Sequence, residues 1–277
     1  MGVMADTPLI SADELRHGLA GVTVLDVRYR MGGPPGLDEY LAGHVPSAAY
    51  VDLEVELSDP PADPVDERGR HPLPSSERFI DAMQRAGVDL DASVVVYDDW
   101  QGRAAARAWW LLRHHGHRDV RVLDGGWAAW LAAGGESEAG RHEPRRGTFH
   151  GSPGAMPVVA ADDVLDVPVL VDARAPERYR GEVEPVDPVA GRIPGAVSVD
   201  TGRNLDNHGR FRAAGELRAL YAGVGVTAGT DVAAYCGSGV TATHDILALE
   251  VCGIPAALYA ASWSGWVADP QRPVERG

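Results

Sequence analysis

The stretch VPVLVDARAPERYRG, residues 167–181, has an earlier counterpart in VTVLDVRYR, residues 22–30. Both begin with a short apolar run, reach an aspartate and continue into an arginine-containing segment. A short apolar run bounded by polar residues predicts a buried strand. The same strand and the same following segment therefore occur twice, which predicts a duplicated structural unit.

Three further matches follow in the same order along the two halves of the chain. They pair GHVPSAAYVD (43–52) with GRIPGAVSVD (191–200), VVVYDDW (94–100) with VAAYCGS (232–238), and VLDGGWAAWL (122–131) with LYAASWSGWV (258–267). Four collinear matches at nearly one spacing predict two tandem domains of ordinary size. Gly, Pro and charged residues replace the apolar periodicity between the halves. We therefore predict a first domain over residues 1–135, a linker over 136–156 and a second domain over 157–277.

Within each half, apolar runs alternate with segments that carry apolar residues at helical spacing. The predicted strands are VTVLDV, SVVVYD, VRVLDG, VPVLVDA, DVAAYC and AALYA, and the predicted helices are SADELRHGLAG, SSERFIDAMQRAGV, RAAARAWWLLRHHG and ATHDILALEVCG. Ser11 and Ser75 are placed to cap two of the helices. This alternation predicts an α/β fold with two tandem domains, each a mostly parallel sheet flanked by helices.

The composition is that of a globular protein with an acidic surface. Of 277 residues, 45% are hydrophobic and 23% charged, and 40 Asp and Glu against 25 Lys and Arg give a net charge of -15. That charge repels phosphate backbones and anionic bilayers, so we expect neither a nucleic-acid nor a membrane partner. The N-terminus has no basic region followed by a long apolar core, and we expect a cytoplasmic protein. Two cysteines are too few for a disulfide framework or a zinc cluster.

Cys236 stands where a predicted strand ends and a short glycine-containing loop opens a helix, in DVAAYCGSGVTA, residues 231–242. Ligands of open parallel sheets bind at the carboxyl ends of strands. Gly237 and Gly239 allow the loop to curl so that backbone N–H groups and the positive end of the helix face a negative sulfur. Such surroundings favour the thiolate, the nucleophilic form, and predict that Cys236 reacts.

Two other cysteine chemistries fail on the same residues. A phosphatase of the Cys-x5-Arg type needs an arginine at position 242, which is alanine. A thioredoxin-type Cys-x-x-Cys needs a second thiol at position 239, which is glycine. The other cysteine, Cys252, lies in an apolar helical stretch, where we expect it to pack and not to pair with Cys236.

The duplicated layout and the segment CGSGVTA, residues 236–242, resemble tandem-domain rhodanese-type sulfurtransferases, and most of all the 3-mercaptopyruvate sulfurtransferases. The thiosulfate-using members typically carry basic residues directly after the cysteine, where this chain has neutral Gly237 and Ser238. The resemblance implies an inactive first domain and a site between the domains. It also implies that Cys236 takes sulfur from a small donor, 3-mercaptopyruvate or thiosulfate, as a persulfide, with no cofactor or metal. A thiol acceptor, such as thioredoxin, would then receive the sulfur.

Further site residues follow from the same resemblance. Ser238, His71 and Glu54 match the serine, histidine and acid that handle protons, although the acid is usually aspartate. Arg178 matches the arginine that holds the substrate carboxylate, with Arg174 and Arg180 as rival assignments. The remaining loop positions implied to bind substrate are Gly237, Gly239, Val240 and Thr241.

The chain departs from the family pattern at two places. A second carboxylate-binding arginine is often found where this chain has Val186; either one arginine suffices, Arg192 or Arg103 substitutes, or the donor is not mercaptopyruvate. A typical Asp-Gly-Ser-Trp segment is replaced by AASW, residues 260–263. Thiosulfate:cyanide sulfur transfer, a non-catalytic sulfur-relay module and a redox-sensing binder therefore stay open as alternatives.

Overall fold

A computed structural model describes residues 7–277, so the first six residues of the predicted first domain lie outside the described residues. The described strands form two separate sheets, one from each half of the chain, and every pairing between neighbouring strands is parallel. This confirms the predicted α/β fold with a duplicated parallel-sheet unit. None of the described helices is both long and apolar enough to cross a membrane.

The first sheet has the strand order β1-β5-β4-β2-β3. Its strands are β1 Leu9–Ile10, β2 Val22–Asp26, β3 Ala49–Tyr50, β4 Ser93–Tyr97 and β5 Val120–Leu123, and the helices of this half are α1 Ala12–Gly18, α2 Gly36–Ala42, α3 Ser76–Arg85, α4 Arg103–His114 and α5 Gly126–Ala132, with a 3-10 turn at Leu19–Gly21.

The second sheet has the order β7-β6-β8-β9. Its strands are β6 Val169–Asp172, β7 Val197–Ser198, β8 Val232–Tyr235 and β9 Ala257–Leu258, and the helices are α6 Pro176–Tyr179, α7 Ala214–Ala222, α8 Ala242–Val251 and α9 Ser262–Trp266, with 3-10 turns at Val164–Asp166 and Thr201–Asn204. Val158 bridges Leu258 in parallel, in the place that β1 occupies beside β5 in the first sheet.

Local sequence explains where these elements begin. The strands are rich in Val and Leu because both faces of a parallel sheet are covered. Ser11 Oγ accepts a hydrogen bond from the Glu14 amide, and the Glu14 carboxylate accepts one from the Ser11 amide, which closes a capping box at α1. Ser75 caps α3 through the Arg78 amide. The predicted caps, strands and four main helices are therefore confirmed.

The two halves share one apolar core where α4 packs against α8. Trp109 and Trp110 of α4 and Leu247 of α8 are fully buried in it. Both helices start just after the carboxyl end of a central strand, β4 or β8, so this packing brings the corresponding ends of the two sheets to the interface. The cavity that contains Cys236 lies there.

Candidate active site

Cys236 directly follows β8, and residues 236–241, named here the Cys236 loop, connect it to α8. The side chain is only 2% exposed, yet it lines a cavity of about 440 Å³ whose walls come from both halves of the chain. First-half residues in the wall include Tyr29, His71 and Trp100. The sulfur is therefore screened from bulk water but accessible from this cavity.

Two neighbours fix the sulfur in place. The Gly239 amide donates to Cys236 Sγ at 3.1 Å. Ser262 accepts from the Cys236 amide at 3.0 Å, and its hydroxyl lies 4.0 Å from Sγ. Gly239 has a φ of +82°, and a Cβ built on it would lie 2.1 Å from the Ala260 carbonyl oxygen. The glycine is therefore required for the turn that points its N–H at the sulfur.

The corresponding loop in the first half shows what this backbone geometry binds. Asp98 takes the place of the cysteine and is fully buried. Its carboxylate accepts four backbone hydrogen bonds of 2.8–2.9 Å, from the amides of Trp100, Gly102, Ala104 and Ala105. Because all four partners are donors, the loop is built around a negative charge.

Arg178 and Arg70 converge on the same side of the Cys236 loop. A Cβ built on Gly237 would lie 3.1 Å from Arg70 Nη2 and 3.4 Å from Arg178 Nη1. Arg178 donates to Glu184 at 2.6 and 3.2 Å and to Asp187 at 3.3 Å, and Arg70 also forms an ion pair with Asp187. These acids orient both guanidinium groups toward the cavity. Burial lowers the pKa of Arg70, a shift that negative charge on the sulfur opposes and Arg178 adds to.

Arg174, a rival assignment, also lines the cavity, but its guanidinium is bound to other groups. Arg174 is 3% exposed and donates to both oxygens of Asp172 and to the Gly191 carbonyl. Its repeat counterpart Arg28 makes the same contacts with Asp26 and the Gly43 carbonyl in the half without a cysteine. A contact kept in both halves indicates a structural role for Arg174.

Three other arginines are candidates in the sequence, and one of them lines the cavity. Arg180 forms an exposed ion pair with Glu182. Arg192 forms an ion pair with Glu275 and stacks on Tyr179, and it does not line the cavity. Arg103 does line the cavity and donates to Thr201 at 2.9 Å. Sequence reasoning missed Arg70, which comes from the other half of the chain.

Ser238 and His71 meet across the interface, with 2.7 Å between Ser238 Oγ and His71 Nδ1. Burial, together with the positive charges of Arg107 and Arg70, lowers the pKa of His71 to about 4. The imidazole is therefore neutral at physiological pH, and it can exchange a proton with the serine hydroxyl beside the sulfur.

Glu54 forms no hydrogen bond with His71 within residues 7–277. Its carboxylate instead accepts from the Tyr29 hydroxyl at 3.3 Å. The Tyr29 ring packs edge-on against His71 with 6.2 Å between ring centroids. The structure thus brings Ser238 and His71 together and places a tyrosine between His71 and the acid.

The other implied loop residues, Gly237, Val240 and Thr241, line the same cavity. Cys252 does not. It lies just beyond the far end of α8, where its Sγ lies 3.7 Å from the Ala214 carbonyl oxygen and burial raises its pKa. It borders a larger cavity of about 800 Å³ at the other end of the second sheet, where the strands begin. Within the described residues, no three His, Cys, Asp or Glu side chains are grouped to hold a metal.

The chain is similar over its whole length to several known proteins. The model of the rhodanese-like domain family matches residues 11–133 and 159–269. A putative thiosulfate sulfurtransferase of Mycobacterium tuberculosis is 46% identical over 97% of both chains. A probable 3-mercaptopyruvate sulfurtransferase of Pseudomonas aeruginosa is 44% identical, covering 99% of this chain and all of that one. The crystal structure of the 3-mercaptopyruvate sulfotransferase of Escherichia coli superposes with a TM-score of 0.81 at 33% identity, covering 93% of this chain and 99% of that one.

Proposed function

The chain belongs to the rhodanese family of sulfurtransferases, and from that premise we propose that it moves sulfur from 3-mercaptopyruvate through a persulfide on Cys236 to a thiol or other nucleophilic acceptor. The observation that carries the proposal is the pairing of Ser238 with a neutral His71 at 2.7 Å, beside a buried cysteine and two inward-facing arginines. The domain assignment we propose is residues 1–135 non-catalytic, 136–156 linker and 157–277 catalytic.

The two arginines suit a 2-oxo-3-thiol acid. A planar guanidinium binds a carboxylate in a bidentate way. Arg178 and Arg70 both point into the space where a Cβ on Gly237 would lie, so a carboxylate held there would place the C3 sulfur toward Cys236. Arg70 would supply the second guanidinium that the chain lacks at Val186.

Sulfur transfer from 3-mercaptopyruvate to Cys236 needs no outside oxidant. The Cys236 thiolate attacks the donor sulfur, a sulfur–sulfur bond forms, and the C3–sulfur bond breaks with its electron pair passing to pyruvate as the enolate. The donor thiol loses a proton, and Ser238 and His71 would pass that proton to the enolate to give pyruvate. An acceptor thiolate would then attack the outer sulfur and release the Cys236 thiolate.

The first half indicates how the persulfide would be held. There, Gly102 donates to one oxygen of Asp98 while Ala104 and Ala105 donate to the other. The Gly239 amide already donates to Cys236 Sγ in the matching way. We propose that the next amides of the loop, at Thr241 and Ala242, hold the negatively charged outer sulfur.

The remaining assignments concern the localisation and the partners of the protein. We propose a cytoplasmic enzyme whose acceptor is a small thiol or a thioredoxin-like protein. The net charge of -15 opposes nucleic-acid or anionic membrane partners.

The test compares wild type with Cys236→Ser in the presence of 3-mercaptopyruvate and a thiol acceptor, measuring pyruvate and sulfide. We expect turnover in the wild type and none in the variant, with one added sulfur on the Cys236 peptide by mass spectrometry when the acceptor is left out. Absence of both turnover and added sulfur in the wild type would refute the proposal.

Thiosulfate is the second candidate donor, because two guanidinium groups beside Gly237 also suit a dianion. Comparing kcat/KM for the two donors decides between them. A clear preference for thiosulfate would overturn the assignment of mercaptopyruvate, while added sulfur without turnover would indicate a relay protein.

A further inference from the structure

Arg107 is a buried cation at the centre of the interface between the two halves. It lies in the middle of α4, between Ala106 and Ala108, and its side chain is fully buried. Burying a guanidinium is unfavourable unless its donors and its charge are both satisfied. The groups around Arg107 must therefore satisfy both its donors and its charge.

The guanidinium donates to three separate segments. Nη1 donates to the Gly239 carbonyl of the Cys236 loop at 3.2 Å. Nε and Nη2 donate to the Leu57 carbonyl at 3.3 Å, and Nη2 also reaches the carbonyls of His71 at 3.2 Å and Pro72 at 3.3 Å. One side chain thus touches the backbone of the residue whose N–H binds the sulfur and of the residue whose imidazole binds Ser238.

These contacts satisfy the donors but not the charge, because all of the acceptors are neutral carbonyls. Within residues 7–277, no carboxylate forms an ion pair with Arg107. Burial lowers the pKa of Arg107 to about 10, and the one opposing influence is negative charge on Cys236. Arg107 remains a cation at neutral pH, and it binds the carbonyl of Gly239, the residue whose amide donates to the Cys236 sulfur.

We propose that Arg107 is a positioning residue that acts as the buried counterion of the ionised Cys236 sulfur and holds Gly239 and His71 in place across the interface. This inference rests on the proposed function, because it assigns a role at the same site. It gives the non-catalytic half a part in the chemistry: the cation that stabilises the thiolate and then the persulfide belongs to α4.

The test measures alkylation of Cys236 by iodoacetamide from pH 5 to 10 in the full chain, following the Cys236 peptide by mass spectrometry. Only the thiolate reacts, so the pH of half-maximal rate reports its stability. For Arg107→Gln we expect the midpoint to rise by about one pH unit, which makes alkylation about 10-fold slower below both midpoints. An unchanged midpoint in a folded variant would overturn the proposal.

A matched control is Arg113→Gln. Arg113 lies on the same helix and also reaches the second half, but its partner is Glu250 at 3.5 Å and not the Cys236 loop. Its alkylation profile should equal that of the wild type, and an equal shift in both variants would overturn the proposal.

Arg107→Lys separates charge from geometry, since lysine keeps the charge but lacks the planar fork. We expect an alkylation midpoint close to that of the wild type and a roughly tenfold lower kcat for sulfur transfer. A midpoint displaced as far as in Arg107→Gln would contradict the counterion role. Wild-type kcat would contradict the positioning role.

A measurement on proteins with Arg107 intact covers the case in which the variants do not fold. The wild type should exceed Cys236→Ala in Tm by an amount that grows from pH 6 to pH 9, because only an ionised sulfur balances the cation. A constant difference would overturn the proposal. Because alkylation needs no sulfur donor, a shift in Arg107→Gln with no mercaptopyruvate turnover in the wild type would refute the proposed function alone.

Discussion

Replacing Asp98 with asparagine changes one oxygen of a fully buried carboxylate into an amide nitrogen of nearly the same size. The native carboxylate accepts four backbone hydrogen bonds, two on each oxygen. In Asp98→Asn, two backbone amides therefore face an NH₂ group that cannot accept. Burial raises the pKa of Asp98, and the four amides oppose that shift because they stabilise the ionised form.

The expected loss follows from that count. Each buried donor left without an acceptor costs about 1–3 kcal/mol, so two cost about 2–6 kcal/mol. At about 2–4 °C per kcal/mol, we expect the Tm to fall by roughly 4–24 °C. The assay is thermal unfolding followed by circular dichroism.

The control is the same substitution at the next residue. Asp99 pairs with the part-exposed Arg30 at 2.7 Å, and its loss should cost only about 1 kcal/mol or less. If Asp98→Asn lowered the Tm no more than Asp99→Asn does, the first-half loop would not be a site that stabilises an anion. The proposal that the Cys236 loop holds the persulfide in the same way would then be refuted as well.

Three shorter predictions concern the site and its pH dependence. Cys236→Asp should abolish sulfur transfer yet keep or raise the Tm, because a carboxylate fills the equivalent loop of the first half. A Tm well below that of Cys236→Ser would contradict this expectation. Gly239→Ala should lower kcat/KM at least about 100-fold, because its Cβ overlaps the Ala260 carbonyl and the N–H turns away from the sulfur; activity within threefold of the wild type would show that the turn is not needed. Burial lowers the pKa of His71 to about 4 and of His244 to about 3, against 6.5 when unfolded, so both contribute stability above pH 6.5 that is lost as the pH falls. At pH 5 each should lower the free energy of unfolding by about 2 kcal/mol, and urea titrations giving equal values at pH 7 and pH 5 would refute this.

Some features of the site could have been found in the sequence but were not. The repeat already matched Arg174 with Arg28, in the half that has no cysteine, which points to a shared structural role. An arginine inside the apolar stretch of α4, at position 107, is likewise unusual, since a charge at a core position needs a partner. Short helices such as α6 and α9 are not predicted from the sequence, because four or five residues carry too little periodicity to be recognised.

The sequence by itself determined the duplicated α/β architecture, the strand that ends at Cys236, the glycine loop after it and the match of that cysteine to Asp98. These are local properties, because strand patterns, caps and left-handed glycines depend on residues close together in the chain. The resemblance implies His71 but neither Arg70 nor Arg107, and only the tertiary structure decided that these two arginines lie beside the Cys236 loop. His71 meets Ser238, Arg70 joins Arg178, and Arg107 contacts Gly239 because α4 packs on α8, and the packing of two apolar faces fixes distances that no spacing along the chain encodes.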